Sequence, residues 1–525
     1  MRWLSVLTAA AATACAALST DPPSSQHVFS LASLPSSAYS PTHVHSTIEL
    51  GGSLTRSVAT YSLVKDDQSA TKGDVFVVGV KRGGNQGGWI EAFEGKGGAK
   101  KPVDMVAVGG DDDTTYYSIT LTPPPSGQKA TLTVSAVLAH QAVPNPPSLP
   151  QNAETIFMLW EGDLLAPLTG LSKAQKEKVE QVVVKVKTPT PRIHQAQSQE
   201  GFEMNHSQGA ALVTFTSKGS VVEYEQQIAR VHYQQPSAVA LIRKLDRIVE
   251  ISHWGSNLAV QEDIDLANTG PTLEGNFARI DFQKATMHRR QNFLAISSLS
   301  LPLPSSAHNP YYYDLVGNVS TSRFRPSHRA QALLPSQKKL RSLHPALLEL
   351  TPRYPLMGGW NYSFTIGYDL DAREYVRARK EVDGQQRKYI AAVPFVEPLK
   401  DVAVDEVRVE IRLPEGARNI LVHPPFPIDS ISYPAFVPSL FGASSVPRPG
   451  NEGGTVVKTY LDSTGRPTVV LKKRGVTDRH GGEVIIEYDL PSFAQYLQKP
   501  LACASALFAV FLAVSVAKRV RWGIA

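Results

Sequence analysis

Residues 501–517 read LACASALFAVFLAVSVA, a run without a charge, and three basic residues follow closely: Lys518, Arg519 and Arg521. At about 1.5 Å per residue a helix of this length spans roughly 26 Å, which suits the hydrocarbon core of a thin membrane. A buried core helix is the alternative, but such a helix is rarely apolar on every side. The run therefore predicts a transmembrane helix over 501–517, and the basic residues predict a cytosolic tail over 518–525.

The opposite end of the chain supports the same topology. Met1 and Arg2 give a positive start, and residues 3–17 are apolar and rich in alanine. This pattern is typical of a secretory signal peptide, here 1–17, with cleavage near residues 16–19. Together the two ends predict a type I single-pass membrane protein. Its bulk is lumenal and enters the membrane through a juxtamembrane segment, 493–500.

Composition narrows the class of protein. The chain has 525 residues, 42% hydrophobic and 19% charged, with a formal net charge of +6. The charge is small for this length, and no aromatic–basic motif indicates a nucleic-acid partner. The two cysteines, Cys15 and Cys503, fall in the signal and membrane segments. The lumenal part is therefore expected to fold without disulfides, by burial in large β-rich cores.

Short alternating segments bounded by Gly, Pro, Asp or Ser recur along the lumenal chain. This spacing is typical of antiparallel sandwiches. We predict a mainly β fold, with two lumenal antiparallel β-sandwich-like domains, 18–238 and 239–492, followed by one C-terminal transmembrane α-helix. The predicted strands are 42–50, 58–64, 74–80, 116–121, 131–138 and 182–186, then 240–253, 259–266, 361–368, 402–413, 455–461, 467–472 and 483–488.

Four segments are interpreted as loops from their composition. Residues 83–98 are rich in glycine, and 109–113 end in three aspartates that favour a solvated turn over a calcium site. Residues 322–353 are rich in Pro, Arg, Lys and His and favour a solvated connection over a binding patch. Residues 434–454 contain Ser, Pro and Gly and predict another loop.

The sequence carries few signs of catalytic chemistry. The sequence contains no phosphate-binding Gly-rich loop with Lys, no nucleophile elbow and no HExxH motif. His43 and His45 have a spacing that can hold zinc, but they lack a Cys or a local carboxylate partner. We therefore predict no catalytic residue, no metal site and no cofactor.

Acidic residues offer the remaining catalytic alternative. Two groups lie near strand ends and could serve a glycosidase, which uses a pair of carboxylates. Surface strands carry such pairs routinely, so a solvated surface is the favoured interpretation. The residues are Glu262, Asp263 and Asp265 in one group and Glu410 and Glu415 in the other.

Two aromatic clusters are less usual. Tyr311, Tyr312 and Tyr313 are consecutive, and residues 353–360 read RYPLMGGW, with Trp360 at the start of a predicted strand. The two glycines allow a turn that other residues resist. A core corner is favoured for these clusters, and an aromatic shelf for sugar or a partner is the alternative.

Three Asn-x-Ser sequons occur in the lumenal part, at Asn205, Asn318 and Asn361. In a chain with a signal peptide at least one is expected to carry a glycan. An occupied asparagine must face water, so it marks an exposed loop or strand end.

The chain resembles the ribophorin I family, the large single-span subunit of oligosaccharyltransferase. The resemblance extends over roughly 240–520 and, more loosely, from about residue 40. The segments that carry it are 247–281 (RIVEISHWGSNLAVQEDIDLANTGPTLEGNFARID), 311–322 (YYYDLVGNVSTS), 353–360, 413–417 (LPEGA), 460–470 (YLDSTGRPTVV) and 498–501 (QKPL). Residues 322–353 and 434–454 look like insertions relative to the family pattern.

The resemblance implies a non-catalytic subunit in the endoplasmic reticulum membrane. In the family, the complex transfers a preassembled oligosaccharide from dolichyl pyrophosphate to the Asn of Asn-x-Ser/Thr in nascent proteins, and another subunit performs the chemistry. The implied role is a scaffold that could present substrate chains. The implied partners are the catalytic and accessory subunits, with nascent polypeptides and the translocon as further candidates. Asn318 lies inside a matching segment and ranks first for glycosylation.

Two other functions stay open at this point. One is a membrane-tethered lumenal glycoside-processing enzyme that uses Glu410 or Asp263. The other is a cell-surface adhesion module of sandwich type. Small residues of the membrane helix, which let helices approach closely in lipid, fit a chain with partners there. They are Ala502, Ala504, Ser505, Ala506 and Ala509.

Overall fold

The computed structural model describes residues 37–519, apart from 66–73, 82–87, 96–99, 111–113, 123–128, 200, 208, 219–225, 289–291, 328–344, 380–386, 398, 435, 438–443, 446–455, 460–461 and 492–495. The predicted signal peptide, the three aspartates at 111–113 and Arg521 lie outside this part of the chain. The predicted loops 322–353 and 434–454 lie only partly within it.

The first half of the described chain consists almost entirely of strands. They are β1 Tyr39–Gly51, β2 Leu54–Lys65, β3 Val75–Lys81, β4 Trp89–Glu94, β5 Lys101–Val103, β6 Met105–Gly110, β7 Thr114–Thr120, β8 Ala130–Ala139, β9 Ala142–Pro144, β10 Ser148–Pro150, β11 Ile156–Asp163, β12 Gln181–Lys187, β13 Ile193–Ser198, β14 Phe202–His206, β15 Leu212–Ser217 and β16 Ile228–Gln235. A 3₁₀ turn, Ala166–Leu168, and helix α1, Lys173–Lys176, interrupt them.

An eight-stranded sheet dominates this half, in the order β14-β15-β12-β1-β2-β8-β4-β5. Two smaller sheets, β3-β7-β6 and β13-β16-β11-β9, share its apolar core. Val44 and Tyr61 reach that core from the large sheet, while Phe76 and Trp160 reach it from the smaller ones. Alternation places Val44, Ser46 and Leu50 of β1 on the buried face, and Ile48 between them is half-buried. Sheet-on-sheet packing therefore builds the first core.

The second half repeats this arrangement. Its strands are β17 Ala240–Ser252, β18 Asn257–Asn268, β19 Thr272–Glu274, β20 Leu299–Leu303, β21 His308–Asp314, β22 Ser322–Arg325, β23 Ala346–Leu350, β24 Asn361–Asp371, β25 Val376–Arg379, β26 Arg387–Pro394, β27 Ala403–Arg412, β28 Arg418–His423, β29 Ser430–Ser432, β30 Phe436–Val437, β31 Ser444–Ser445, β32 Val456–Val457, β33 Arg466–Val476 and β34 Glu483–Leu490. Its helices are α2 Arg279–Met287, α3 Ala372–Tyr375 and α4 Gln498–Arg519.

A second large sheet runs β21-β24-β18-β17-β27-β33-β29, with β32 also paired to β33. Sheets β20-β23-β22 and β25-β26-β34-β28 contribute to the same core, with Leu348 and Ile486 among the buried residues. The mainly β, mainly antiparallel architecture is confirmed. Each large sheet also contains one parallel pair, β1 with β12 and β17 with β27, which the sequence pattern did not predict. The proposed boundary between residues 238 and 239 stays a prediction.

The two halves contact each other through charged and apolar groups. Arg56 of β2 forms ion pairs of 2.6 Å with both Asp401 and Asp478. Trp89 packs edge-on against His480, with ring centroids 5.0 Å apart. Burial, with the nearby positive charge of Lys473, holds the pKa of His480 at about 3, so this ring is neutral at physiological pH.

All four predicted loops overlap strands, and in 109–113 the overlap is the end of β6 at Gly110. Strand β4 lies inside 83–98 and carries the half-buried Trp89, so the expectation of an exposed loop there is wrong. The ends of 322–353 form β22 and β23, and β23 buries Ala346, Leu348 and Leu350. The segment 434–454 contains the short pair β30–β31. Strand β23 forms here because its alternate residues are apolar and point into the core.

Helix α4 contains the predicted membrane run and extends it by three residues before and two after. It is the one helix, among the described residues, that is long and apolar enough to cross a membrane, and none of its apolar window is buried against the protein. A soluble core helix would bury that surface, so this observation disfavours the core-helix alternative. Lys518 and Arg519 form its last turn.

Candidate functional site

Buried polar and charged side chains meet at the base of helix α4. We call it the helix junction and define it by Glu415, Asp462, Arg466, Gln498 and Lys499. These residues come from three of the segments that carry the family resemblance: 413–417, 460–470 and 498–501. The structure brings the three segments together, although Glu415 and Lys499 lie 84 positions apart along the chain (499 − 415).

Gln498, the first residue of α4, connects the helix to the β domain. Its side chain is buried, at 4% exposure, and its Nε2 donates to the hydroxyls of Ser463 and Thr464, both at 2.9 Å. Pro500 falls in the first turn of the helix, where its missing N–H would have no helical partner. The helix therefore begins as a fixed extension of the segment before β33.

Glu415 organises that segment from the side of β27. Its Oε1 accepts hydrogen bonds from the backbone N–H of Thr464 at 2.8 Å and of Gly465 at 3.1 Å. Gly465 has a φ of +100°, a conformation that L side chains rarely adopt. The buried carboxylate thus takes the place of a backbone partner in a turn that requires glycine.

Ion pairs between basic and acidic side chains complete the junction. Lys499 Nζ lies 3.3 Å from Asp462 Oδ1 and 3.7 Å from Glu415 Oε2. Arg466 Nε contacts Asp462 Oδ2 at 2.9 Å, and its Nη1 contacts Glu250 of β17 at 2.6 Å. Burial raises the pKa of Asp462, but hydrogen bonds from Thr459 and the charge of Arg466 outweigh it and lower that pKa overall. Removing one member would leave a buried charge unpaired.

A second buried charge cluster lies inside the large sheet of this half. The side chain of Arg247 is fully buried, donates through Nη1 to Glu262 and has its Nη2 3.6 Å from Glu397 Oε1. Burial raises the pKa of Glu397 to about 7. Burial also raises the pKa of the adjacent Tyr368 well above its ordinary value. The cluster is enclosed by core residues, which indicates a structural role.

The structure corrects the interpretation of the acidic residues as a solvated surface. Glu262, Glu410 and Glu415 are all less than 10% exposed, and each has a positive or N–H partner. Glu410 contacts Arg408 at 3.2 Å and Arg412 at 2.9 Å. The alternation pattern did not distinguish them. Glu262 and Glu415 have partners on other segments of the chain, whereas Glu410 is buried beside two arginines of its own strand.

The two remaining acids accept hydrogen bonds from the neighbouring strand. Asp263 accepts from Thr365 Oγ1 at 2.6 Å, and Asp265 accepts from Ser363 Oγ at 3.0 Å. These contacts fit a polar sheet face, and nothing in them favours the glycoside-processing alternative.

The histidine pair gives no metal centre in the part of the chain that the structure describes. His43 Nε2 lies 3.2 Å from Glu180, a carboxylate partner that sequence proximity did not reveal. No group of three or more His, Cys, Asp or Glu residues is placed to hold a metal ion among the described residues.

The three sequon asparagines are all exposed. Asn205 lies in β14, Asn318 follows the turn after β21, and Asn361 is the first residue of β24. In the amide orientation that satisfies both atoms, Asn361 accepts from Arg243 Nη1 at 2.9 Å and donates to the backbone oxygen of Trp360. Its nitrogen, the atom a glycan would join, is therefore engaged.

The aromatic clusters divide between core and surface. Tyr312 is buried and its hydroxyl lies 2.7 Å from that of Tyr362, as the core-corner interpretation predicted. Tyr311 and Tyr313 are 44% and 39% exposed, so that interpretation is wrong for them. Trp360 is half-buried against both cores, where its ring contacts Phe277 and Tyr354.

Comparison with known proteins gives a consistent result. A family model described as Ribophorin I matches residues 40–518. Subunit 1A of dolichyl-diphosphooligosaccharide–protein glycosyltransferase from Arabidopsis thaliana is 29% identical over 81% of this chain and 60% of its own length. Subunit 1 from Caenorhabditis elegans is 26% identical over 80% and 63%. Subunit 1B from Oryza sativa subsp. japonica is 30% identical over 76% and 72%. The chain thus spans about 60% of the length of the first two relatives.

Among solved structures, native leukotriene A4 hydrolase from Saccharomyces cerevisiae matches with a TM-score of 0.25 and 10% identity. The match covers 38% of this chain and 30% of that one. A likeness at this level bears on neither the fold nor the function.

Proposed function

Because the chain belongs to the ribophorin I family, we propose that it is a non-catalytic scaffold subunit of the oligosaccharyltransferase complex. That complex transfers a preassembled oligosaccharide from dolichyl pyrophosphate to asparagine in Asn-x-Ser/Thr of nascent proteins. The relatives carry the name of a subunit of this glycosyltransferase. The role of this chain is to hold its two β-rich domains in a defined position beside the subunit that performs the reaction.

The helix junction is the observation that carries the scaffold role. Gln498 and Lys499 connect the helix to the β domain through Ser463, Thr464 and Asp462. A flexible linker would let the domain reorient freely, whereas buried, charge-assisted contacts hold one orientation. A scaffold that positions a substrate or a neighbour needs such a fixed connection.

The non-catalytic part of the proposal is supported by the state of the candidate acids. A glycosidase needs two carboxylates that reach substrate, but Glu410 is buried between two arginines and cannot serve as the partner of Asp263. The glycoside-processing and adhesion alternatives are not favoured.

The proposed location is the endoplasmic reticulum membrane, in type I orientation. Helix α4 supplies the single span, with 501–517 in the hydrocarbon core. Lys518, Arg519 and Arg521 favour the cytosolic side, so the tail 518–525 is cytosolic and the β domains are lumenal. Protease added outside sealed vesicles should then leave the β domains intact. Digestion of these domains would refute the orientation.

The proposed partners are the catalytic and accessory subunits, with nascent polypeptides and the translocon as transient contacts. In α4, small residues such as Ala502 and Ala509 allow close approach of a partner helix in lipid. In the lumen, Asn318 is the first candidate for glycosylation, ahead of Asn205 and of Asn361, whose amide is engaged.

The test is purification of the tagged full chain from its own membranes in mild detergent. We expect multi-span partners and oligosaccharide transfer to an Asn-x-Thr peptide in the eluate. A chain that elutes alone and without transferase activity would refute the proposal.

A junction variant makes the test specific to the scaffold role. Gln498→Ala with Lys499→Ala should still recover the partners through α4 but lower the transfer rate per complex. Lys472→Ala, an exposed lysine on neighbouring β33, is the matched control and should leave that rate unchanged. Equal rates for both variants would show that the junction does not matter for activity.

A further inference from the structure

A small hairpin follows the edge strand β21 and holds a sequon in a defined position. Asp314 N donates to Gly317 O at 3.0 Å, Gly317 N donates to Asp314 O at 3.1 Å, and Val319 N donates to Tyr312 O at 3.1 Å. Tyr313 and Asn318 face each other between these bonds as an antiparallel bridge. In such a non-hydrogen-bonded pair the two side chains lie close together on one face. Asn318 therefore projects beside the ring of Tyr313.

Hydrogen bonds to the side chain of Asp314 hold the hairpin in one conformation. The Asp314 carboxylate accepts from the backbone N–H of Val316 and Gly317, both at 3.0 Å, and from Arg353 Nε at 2.6 Å. The hydrogen bond from Arg353 lowers the pKa of Asp314 to about 2, so the acceptor stays charged at lumenal pH. Gly317 has a φ of +140°, which other residues rarely adopt. The position of Asn318 is thus fixed relative to the sheet.

Tyr311 and Tyr313 form a flat aromatic pair next to this asparagine. Their rings are parallel within 10°, with centroids 6.0 Å apart, and both are about two-fifths exposed. Tyr311 lies over Gly367 of β24, which has no side chain of its own, and its hydroxyl is 3.4 Å from Gln261 Oε1. The position of the Tyr311 ring is explained by its packing over a glycine on the neighbouring strand. It does not explain Tyr313, because the residue opposite, Thr365, has a side chain.

We propose that the Tyr311–Tyr313 pair is the binding surface for an N-glycan carried on Asn318, an inference that rests on the proposed glycosylation of Asn318. The glycan starts on the same face as the rings, and the pair continues along the strand away from its attachment point. The C–H faces of the first sugar residues pack on the aromatic rings, while Gln261 and Asp263 on β18 offer acceptors to the hydroxyls. The carbohydrate then covers the edge of the second large sheet.

The experiment uses the full chain purified from its own membranes. Mass spectrometry of the peptide that contains Asn318 first measures occupancy. Peptide-N-glycosidase then removes the glycan from the native protein over time. Tyr313→Ala should speed release several-fold, about two- to tenfold if the stacking is worth as much as an aromatic pair. Tyr313→Phe keeps the ring face and should retain the slow release.

Two controls separate glycan binding from folding. Val316→Ala alters an exposed residue of the same hairpin and should leave the release rate unchanged. Equal thermal midpoints for Tyr313→Ala and the parent chain, each with Asn318→Gln, would exclude a general loss of structure.

Each outcome decides the proposal. Equal release rates for Tyr313→Ala and the parent chain would overturn it, as would an unmodified Asn318. The latter would also remove the glycosylation proposal, whereas the former would leave that proposal standing. If the fully glycosylated parent chain instead binds a free chitobiose-core oligosaccharide in a Tyr313-dependent way, the surface is open to a glycan in trans and the assignment to the chain's own glycan is wrong.

Discussion

Replacing Glu415 by alanine tests the helix junction directly. The carboxylate accepts two backbone N–H groups, from Thr464 at 2.8 Å and Gly465 at 3.1 Å, and two weaker hydroxyl contacts at 3.3 and 3.4 Å. A hydrogen bond to a charged group contributes about 1.5 kcal/mol or more to stability. The loss of the two N–H bonds should therefore lower the free energy of unfolding by about 3 kcal/mol. Glu415→Gln keeps an acceptor oxygen and should lose about 1 kcal/mol.

The assay combines stability with a local readout. Chemical denaturation of the detergent-solubilised full chain gives the change in free energy. Hydrogen exchange of the peptide that contains Thr464 and Gly465 reports their N–H groups and should accelerate in Glu415→Ala. The strand β33 should keep its protection. Glu406→Ala, an exposed glutamate on β27, is the control and should change stability by less than about 0.5 kcal/mol.

Glu415→Ala should not unfold at the same denaturant concentration as the parent chain. An equal midpoint, or exchange of the two amides no faster than before, would contradict this role of Glu415. Either result would mean that other groups hold the turn and that the junction does not depend on this carboxylate.

Three further perturbations test other parts of the fold. Burial raises the pKa of Glu397 from 4.5 to about 7. The carboxyl group therefore ionises in the unfolded chain first, and the free energy of unfolding falls as pH rises from about 4.5 to 7. Glu397→Gln should flatten that fall in denaturation curves measured at pH 5 and pH 8. Gly358→Ala places a methyl group against the backbone oxygen of Pro271 and should cost about 2–3 kcal/mol, seen as a lower denaturation midpoint with no recovery at any pH. Arg56→Ala removes both ion pairs of 2.6 Å between the halves. The free energy of unfolding should fall by only about 1–2 kcal/mol, because solvent partly screens these groups. Limited proteolysis should then release separate halves at a lower protease dose.

Strand positions could be predicted because burial of one sheet face leaves a period of two in the sequence. Strand β1 at Tyr39–Gly51 and the hairpin of β17 with β18 around residues 253–256 agree with the predicted segments. Strand β4 was missed because its neighbours are glycine-rich and its burial depends on Phe426 and His480, more than 300 residues away. A local pattern carries no information about such a partner.

Of the two glycines before β24, one is explained by the local sequence and the other by a distant contact. The dipeptide predicts a turn, and Gly359 does have a φ of +80°. Gly358 is needed for a different reason, the close approach of the backbone at Pro271, which belongs to a distant part of the chain. The sequence shows a glycine at position 358, but only the folded structure shows that the backbone of Pro271 leaves no room for a side chain there.

By itself the sequence determined the membrane helix, the β class and the family, because each is encoded in local composition, short periodicity or contiguous matching segments. Only the tertiary structure decided that residues 413–417, 460–470 and 498–501 form one junction, and that Glu262, Glu410 and Glu415 are buried partners rather than a solvated surface. The physical reason is that the environment of a charge depends on the groups that folding packs around it, and the order of residues along one strand does not show whether that position is buried.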